Sequence, residues 1–420
     1  MAEHEFDVVV FGATSVTGRN VAAYLAERTA GTDLSWAAAA RDPGKLERTM
    51  AEVGVSPPAT IIADVGDPAS LLEMASRARA VVNLVGPYTL HATPVIEACV
   101  SGGAHYVDLT GEIPFARRML DRFDAAAADA GVKIVQTCGF ESLPPDLAVL
   151  LATERATERW GEGLSEVDLE VHMRATPPGL PRPSDWISGG TFQSVAAIAG
   201  DADADRLSDP ALLVTDPEAA EAIRSRSPLK LAPRRGPSGA VLAPMAPAAF
   251  INPAVIHRTA VLNAGGDGFE PFRYREGVAI PGPGPTLPLR YAAAGSVAGL
   301  QAGIAALART RPATRERIGK RLGSLLPSSG FGPAADRLEQ WRWRMRVFAS
   351  TNGGNRVEVT VDAEGHPGYL ATARMMGEAG LLLAEPGATP ERAGHLTPAA
   401  ALGSAGIARF ERAKMRFTVS

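Results

Sequence analysis

The residues with the clearest chemical potential lie in a glycine-containing segment close to the N-terminus. Val8 to Phe11 is an uninterrupted apolar run, which is typical of a strand buried on both faces, and Gly12 to Gly18 follow it directly. A helical pattern then continues to Glu27. Such a turn leaves backbone N–H groups unpaired at a helix N-terminus, where partial positive charge favours a pyrophosphate. The chemistry indicated is binding of a dinucleotide.

The spacing of small residues in this turn differs from a plain G-x-G-x-x-G. Gly12, Ser15 and Gly18 occupy a G-x-x-G-x-x-G frame with serine in the middle place. Gly12 permits a sharp turn and Gly18 permits close helix–strand packing, while the Ser15 hydroxyl can donate to a phosphate oxygen. An ordinary strand–helix turn is the alternative. The cofactor-binding residues predicted here are Gly12, Ala13, Thr14, Ser15, Val16, Thr17 and Gly18.

The end of the second predicted strand indicates which dinucleotide binds. Leu34 to Ala40 reads as a strand, Arg41 ends it, and Lys45 is close behind. NAD enzymes carry an acidic residue about 20 positions after the glycines, whereas an arginine there suits a 2′-phosphate. We therefore predict NADPH, with Arg41 and Lys45 near its 2′-phosphate. The alternative is an exposed Arg41–Asp42 turn that begins a helix.

Strands alternate with helices through the first 150 residues, which predicts a doubly wound parallel α/β sheet. Ligands of such sheets bind beyond the carboxyl ends of the strands. The third, fourth and sixth strands therefore contribute predicted adenine-side and nicotinamide-side contacts, although Gly86–Pro87 also reads as a plain turn. These predicted cofactor-binding residues are Asp64, Val65, Asn83, Gly86, Pro87, Tyr88, Gly139 and Phe140.

The pattern changes after about residue 150 and predicts a second domain of α+β type. We assign 1–150 and 366–420 to the dinucleotide-binding domain and 151–365 to a substrate and oligomerisation domain. C-terminal helices at Tyr369–Glu385 and Pro398–Lys414 are expected to return to the first domain. The predicted strands of the second domain are Glu166–His172, Phe269–Val278, Trp341–Ser350 and Arg356–Asp362.

Composition excludes several classes of protein. The formal net charge of −4 over 420 residues argues against a nucleic-acid-binding surface. Cys99 and Cys138 are the two cysteines, which indicates neither a disulfide framework nor a zinc site, and no metal is predicted. The N-terminal MAEHEFD enters a strand at once and does not resemble a signal peptide, so we expect a cytoplasmic protein.

One uncharged segment, 291–308, is unusual in this composition. Gly295, Gly299 and Gly303 repeat within it at a spacing of four, as in closely packed helices. We expect a packed helix inside the protein or at an interface between copies, with a homodimer as the expected oligomer. The alternative is a helix that faces a membrane, because the segment barely reaches spanning length.

Several spaced motifs together carry a family likeness. They are FGATSVTGR, NLVGPY, YVDLTGE, CGFESLPPDL, SGGT, FINPAVIHRTA, GHPGYLATARMMGEAGLLL and HLTPAAAL. With them the chain resembles the saccharopine dehydrogenase-like NADP-binding family, nearest its actinobacterial trans-acting enoyl reductases, which serve polyketide synthases. The resemblance implies a Rossmann domain, an inserted α+β domain and C-terminal helices that pack on the first domain. Ser15 stands where the family commonly has glycine, and Glu141 where many relatives have aspartate.

The leading functional hypothesis is reduction of an activated carbon–carbon double bond. Hydride would reach the β-carbon of an α,β-unsaturated thioester and a proton the α-carbon, while a donor on the carbonyl oxygen would stabilise the enolate. Tyr88, Glu141 and Ser142 are the predicted catalytic residues. Alternatively, Tyr88 is an aromatic wall under the cofactor and Glu141 a helix cap or ion-pair partner. No tyrosine is followed four positions later by lysine, which disfavours the short-chain dehydrogenase mechanism.

Substrate contacts are predicted from the second half of the chain. Gly189, Gly190 and Thr191 are placed at a helix start that faces a substrate carbonyl or phosphate, and Asn252 and Arg258 are assigned to a carrier phosphopantetheine. The partner would be a carrier-bound acyl substrate of a polyketide synthase. Two alternatives stay open: a C=N reductase, and a catalytically silent nucleotide-binding scaffold or sensor.

Overall fold

The computed structural model describes residues 4–178, 201–245, 247–265, 268–323 and 335–420. Two seven-stranded sheets organise it. The first is entirely parallel, in the order β13-β6-β5-β4-β1-β2-β3. Its strands are β1 Phe6–Phe11, β2 Trp36–Ala40, β3 Ala59–Ile62, β4 Ala78–Asn83, β5 His105–Val107, β6 Lys133–Val135 and β13 Gly394–Leu396.

Helices cross between consecutive strands of this first sheet, as the α/β prediction requires. Asp42 and Asp67 cap two of them with their carboxylates, and a proline follows each cap at the first helical position. These local signals explain why the helices begin where the sequence indicates. The crossover helices are α1 Val16–Thr29, α2 Pro43–Glu52, α3 Pro68–Ser76, α4 Tyr88–Gly102 and α5 Ile113–Asp129, while α6 Leu143–Trp160 follows β6 and leads to the second sheet.

The second sheet is mixed, in the order β14-β12-β11-β7-β10-β9-β8. Alternation of apolar and charged residues along β11 and β12 gives it one buried face and one face of ion pairs, such as Arg344 with Asp362. Its strands are β7 Leu164–Ala175, β8 Arg234–Arg235, β9 Val241–Ala243, β10 Arg273–Ala279, β11 Arg342–Thr351, β12 Arg356–Glu364 and β14 Met415–Val419.

The remaining described helices follow α6 in the chain. The N-terminal part of the predicted helix Tyr369–Glu385 is a π-helical turn, Pro367–Ala371, that runs directly into α12. These helices are α7 Pro217–Arg226, α8 Asn252–Ala264, α9 Leu287–Ala308, α10 Pro312–Gly323, α11 Ala335–Leu338, α12 Thr372–Ala384 and α13 Pro398–Leu402.

Helix α12 returns to the first sheet and is buried along its whole length. Two glycines allow α12 to approach α1 and β4 closely. A Cβ on Gly377 would lie 2.5 Å from the Tyr24 ring, and a Cβ on Gly380 would lie 2.7 Å from the Val82 side chain. Between them, Glu378 accepts hydrogen bonds from the Tyr24 hydroxyl at 2.6 Å and from Arg28 at 2.7 Å. The predicted architecture of a Rossmann sheet, a second domain and a returning C-terminal helix is confirmed.

The end of the chain corrects one prediction. The expected helix Pro398–Lys414 stops at Leu402, where Gly403 adopts a φ of 66°, and β14 then pairs with β12 of the second sheet. Residues 366–420 therefore do not all belong to the first domain. The alternating apolar positions Met415, Phe417 and Val419 carry the strand period that the helical reading overlooked. The helix predicted to begin at Gly189, Gly190 and Thr191 lies outside the described residues.

Candidate functional site

The turn after β1 has the geometry that its glycines predict. Gly12 has a φ of 86°, and a Cβ there would lie 2.9 Å from the Leu84 carbonyl carbon. A Cβ on Gly18 would lie 2.2 Å from the Gly12 oxygen, so the first turn of α1 packs directly on the preceding turn. The Ser15 hydroxyl oxygen accepts from the Gly18 N–H at 2.9 Å, which caps α1 and leaves its proton able to donate.

A cavity of about 260 Å³ crosses the carboxyl ends of β4, β1, β2 and β3. This is where a doubly wound sheet binds its ligand. Seven predicted cofactor residues contribute to its walls, and His91 is an addition that the sequence did not reveal. The lining residues are Phe11, Gly12, Thr14, Ala40, Arg41, Asp42, Lys45, Ala63, Asp64, Val65, Val85, Gly86 and His91.

Basic side chains gather at the outer end of this cavity. Arg41 is 78% exposed and lies 3.6 Å from an Asp64 carboxylate oxygen. A neighbouring depression of about 310 Å³ is lined by Thr14, Val16, Arg19, Lys45, Arg48, Thr49 and Glu52. Arg19 and Arg48 were missed in the sequence, although Arg19 follows the glycine turn on the first turn of α1 and Arg48 lies one turn after Lys45 on α2. The cluster suits a phosphate beyond the ribose.

The Asp42 carboxylate makes a hydrogen bond that bears on the choice between NAD and NADP. Its side chain accepts from the Lys45 N–H at 2.9 Å and caps α2. A carboxylate in that cap is committed to the helix, so it does not serve as the acidic ribose ligand of an NAD site. The geometry therefore fits a 2′-phosphate held by cations.

The corner between β4 and α4 corrects two predicted contacts. Asn83 is fully buried: its amide donates to the Tyr106 hydroxyl at 2.9 Å and accepts from the Val85 N–H at 3.1 Å. Tyr88 is also buried, and its hydroxyl donates to the Asn83 carbonyl at 3.3 Å. Burial raises the pKa of the Tyr88 phenol well above its ordinary value, and Asp108 adds to the shift. Asn83 shapes the loop, and the Tyr88 hydroxyl is bonded to the backbone instead of lining the cavity, so its role as proton donor stays a prediction.

Glu112 was not singled out in the sequence and explains how this corner is held. Its carboxylate accepts from the backbone N–H of Tyr88 at 3.2 Å and of Thr89 at 2.8 Å. It thereby caps α4, whose own cap residue, Pro87, has no side-chain acceptor. Pro87 thus marks the start of α4 and lies beside the cavity rather than in its lining.

The loop after β6 is mostly closed against the second sheet. The Phe140 N–H donates to the Thr372 hydroxyl at 3.1 Å, and its ring packs edge-on against Trp343 at 4.9 Å. Gly139 is buried as well. Tertiary packing therefore encloses Gly139 and Phe140, and neither residue lines the cavity at the ends of β4, β1, β2 and β3.

Ser142 and Asn252 bind one another. The Ser142 hydroxyl donates to the Asn252 amide oxygen at 2.7 Å, and both residues are buried. The Asn252 amide then donates to Glu276, which also accepts from the Tyr274 hydroxyl, each at 2.7 Å. Burial raises the pKa of Glu276 to about 7. Ser142 and Asn252 are therefore corrected from substrate-facing residues to members of a network that joins the two sheets.

Glu141 differs from its neighbours in this loop. It keeps a partly exposed side chain, and burial raises the pKa of its carboxyl above the ordinary value. A carboxylic acid with a raised pKa is a suitable proton donor near neutral pH. Of the three predicted catalytic residues, Glu141 is the one that is not fully buried, and its catalytic role stays a prediction.

Arg258 corrects the predicted carrier-binding site. It is buried, and its two terminal nitrogens donate to the carbonyls of Leu213 and His395, each at 2.8 Å. The guanidinium therefore fastens α8 to β13 and does not reach a phosphopantetheine. Gly189, Gly190 and Thr191 lie outside the described residues.

Comparisons with known proteins cover both sheets. The model of the saccharopine dehydrogenase NADP binding domain matches residues 8–135 and identifies the cofactor as NADP(H). The chain is 33% identical over 423 residues to a trans-acting enoyl reductase of Mycobacterium ulcerans, covering 97% of this chain and 96% of that protein. It is 32% identical over 426 residues to one of Mycobacterium tuberculosis, with the same coverage.

A solved structure shows the same fold. Apo saccharopine dehydrogenase (L-Glu forming) from Saccharomyces cerevisiae aligns with a TM-score of 0.52 at 14% identity, covering 98% of this chain and 99% of that chain. The alignment spans the second domain as well as the first. At this identity the likeness extends to architecture and leaves the chemistry to be argued from the site.

Proposed function

This chain belongs to the trans-acting enoyl reductases of the saccharopine dehydrogenase-like NADP-binding family, and we propose that it reduces an α,β-unsaturated acyl thioester. It is an NADP-dependent oxidoreductase. The observation that carries the proposal is the likeness to trans-acting enoyl reductases over nearly the whole chain, both sheets included. Fold alone would not support it, because one fold hosts many chemistries.

The cofactor would lie across the carboxyl ends of the first sheet. The N-terminus of α1 offers N–H groups to the diphosphate, and Gly12 and Gly18 keep the backbone close enough to reach it. Arg41, Lys45 and Arg48 hold the 2′-phosphate at the outer end of the cavity. Bound NADPH supplies hydride to the substrate β-carbon. The residues of the chain position the two reacting carbons and exclude water from them.

Proton delivery falls to Glu141 in this proposal. Burial raises the pKa of its carboxyl above the ordinary value, which favours the protonated form, and we assign to this group the proton that reaches the substrate α-carbon. The network from Ser142 through Asn252 to Glu276 positions the Glu141 loop against the second sheet. Ser142 and Asn252 are therefore positioning residues.

The partner would be a polyketide synthase that presents the acyl chain on a carrier domain. The support is the trans-acting mode that the names of the relatives describe. Action in the cytoplasm, where a synthase and reduced NADPH coexist, is part of the proposal. The homodimer expected from the sequence stays a prediction, which light scattering of the purified chain would check.

The direct test follows NADPH oxidation with an unsaturated acyl thioester, such as a crotonyl thioester, and identifies the product by mass. The saturated thioester is the expected product. A product with its double bond intact, or no turnover with any unsaturated thioester, would refute the proposal. Turnover of a cyclic imine instead would establish the C=N reductase alternative. That alternative needs cations for substrate carboxylates, and the buried Arg258 is not available for this role.

A further inference from the structure

Helix α9 is apolar around its whole circumference and yet mostly uncovered. It has no charged residue between Arg290 and Arg309. A helix of this composition is expected in a protein interior or a membrane. By length and hydropathy, Gly284–Ala308 could cross a membrane, but 28% of its apolar window is buried in the protein. Its buried residues are five of 22, namely Ala294, Ala298, Gln301, Ala305 and Ala308.

The uncovered face of α9 concentrates the exposed apolar surface of the molecule. Leu289 is 70% exposed and Leu300 67%. A Cβ added to Gly299 or Gly303 would meet nothing within 4 Å, so the glycine repeat faces open space instead of a packed neighbour. Of the seven large apolar residues exposed in the described part of the chain, four lie on α9 and α10. A cluster of this kind marks an interaction surface.

The buried side of α9 holds the helix flat against the protein. The Gln301 amide donates to the Pro244 carbonyl at 3.0 Å, and Ala294 packs with Val241 and Ala243 of β9. Crossing a bilayer would break these contacts. The helix is therefore arranged to lie along a surface with its outer face available.

A basic segment is attached to the C-terminal end of this apolar face. Residues 309–323 carry six basic residues against one acid, in a chain whose net charge is −4. Arg315 fixes the segment in place by donating to the carbonyls of Ala308 and Asp201, each at 2.8 Å. Arg309, Arg311 and Arg317 are exposed. An apolar face beside a basic cluster is the arrangement of interfacial helices that bind anionic lipids.

Charge also distinguishes a lipid surface from a second copy of this chain. Antiparallel pairing of two α9 helices would place Arg290 of one copy beside Arg309 of the other. Parallel pairing would place each basic segment beside its equivalent. Both arrangements bring like charges together, which opposes association. Anionic headgroups would neutralise both ends, while the acyl region would receive Leu289 and Leu300.

We propose that α9 and the basic α10 form a membrane-docking face, which seats the protein peripherally on an anionic lipid surface. Neither the cofactor cavity nor Glu141 contributes to this face. The proposal is therefore independent of the reaction, and turnover of a water-soluble thioester does not require docking.

The test is co-sedimentation of the full chain with phosphatidylcholine vesicles, with and without phosphatidylglycerol. We expect binding only to the anionic vesicles, and weaker binding at high salt because screening shortens the range of the attraction. Leu289→Asp combined with Leu300→Asp should weaken binding by at least about tenfold. Arg309→Gln combined with Arg311→Gln should also weaken it by at least about tenfold, since each arginine near the surface contributes about fivefold.

The matched control is Leu72→Asp, the same change at an exposed leucine of α3. It should bind anionic vesicles as the unaltered chain does. Absence of binding to anionic vesicles, equal binding to neutral ones, or equal weakening by Leu72→Asp would overturn the proposal. So would a wild-type dimer, seen by light scattering, that the two aspartate substitutions convert to a monomer. If those substitutions unfold the chain, the arginine variants still decide the question.

Discussion

The carboxyl ends of β1 to β4 and the carboxyl end of β6 use polar residues in opposite ways. At the first region, Arg41 and Lys45 extend their charges into an open cavity, and backbone N–H groups face it. At the second, Ser142 and Asn252 are buried and bonded to each other. The difference teaches that a polar residue at a strand end indicates a site only when no distant segment has engaged it.

The second region behaves as a fastening between parts of the chain. A buried chain of hydrogen bonds reaches it from Asn83 at the end of β4, through Tyr106, Asp108 and Gln136, and ends on His395 of β13. Burial raises the pKa of Asp108 to about 6. Such networks fix the register of strands and leave few groups for a substrate. Glu141 differs from the other residues of the second region because it keeps partial exposure.

Glu141→Gln tests whether Glu141 is the proton donor, and its expected effect on kcat is the largest of these predictions. We expect kcat to fall by about 10²–10⁴-fold because general acid catalysis is worth that much, with NADPH affinity unchanged. In the unaltered enzyme, activity should decline as pH rises through the raised pKa of Glu141, because the donor form is lost there. The alkaline limb of the kcat profile measures this.

The control for this prediction is Glu141→Asp, which keeps an ionisable carboxyl and should keep the alkaline limb with a smaller loss of rate. If Glu141→Gln retains both the rate and the limb, the proton comes from elsewhere. The loop after β6 would then contribute no group to catalysis.

Gly12→Ala tests the backbone basis of the open region. The added methyl would press on the Leu84 carbonyl at 2.9 Å and shift the phosphate turn, so NADPH binding should weaken by about 100-fold. Gly31→Ala is the matched control, because Gly31 also has a positive φ but meets nothing within 4 Å. Fluorescence titration of NADPH measures both. Equal losses in the two variants would mean that backbone strain, not the close approach, matters.

Arg41→Ala and Arg48→Ala test the cationic end of the same region. Each should weaken NADPH binding by about tenfold, the worth of a charge-assisted hydrogen bond to phosphate, and leave NADH nearly unchanged. Arg122→Ala removes another exposed charge, on α5, and serves as the control. Comparable losses for both nucleotides would contradict the 2′-phosphate assignment.

Glu276→Gln tests the closed region through stability. Burial raises the pKa of Glu276 to about 7, so the folded state binds a proton more tightly than the unfolded chain. The stability from this proton is fully present below the ordinary pKa of 4.5 and is lost as pH rises through about 7. Relative to the glutamine variant, the wild type should lose about 1–2 kcal/mol between pH 5 and pH 8.

Urea unfolding at the two pH values measures this difference, and the variant supplies the baseline for all other titrating groups. A constant difference between wild type and variant would show that Glu276 is solvated and that the closed region is more open than its hydrogen bonds indicate. Conversely, a difference that grows with pH would confirm the closed character of the network.

Tyr88→Phe has the smallest expected effect on stability and activity. It tests whether the Tyr88 hydroxyl, at the corner between β4 and α4, serves structure or catalysis. The variant loses one buried hydrogen bond to the Asn83 carbonyl, which should cost about 0.5–1.5 kcal/mol of unfolding free energy. Its kcat should stay within about twofold of the wild type because the phenol does not face the cavity. A large loss of kcat would return Tyr88 to the list of proton donors.

Predictions from the sequence succeeded mainly in the open region and not in the closed one. The roles of Gly12 and Gly18, the caps at Asp42 and Asp67, and the cations after β2 followed from neighbours within a few positions. The burial of Ser142 and Arg258 was not foreseen because their partners are distant in sequence, whereas the Tyr88 hydroxyl bonds to the Asn83 carbonyl nearby in the chain. Glu276 was missed for the same reason, since it gains its place only when separate elements meet.

The amino-acid sequence by itself determined the parallel sheet, the phosphate turn and the preference for a 2′-phosphate, because hydrophobic period, glycine placement and local charge act over one or two turns of chain. Only the tertiary structure decided which polar side chains remain available. Ser142 meets Asn252 and Arg258 meets the His395 carbonyl across separations of more than 100 residues. A side chain's availability for chemistry depends on those distant partners, because a buried polar group must be satisfied wherever the fold places it.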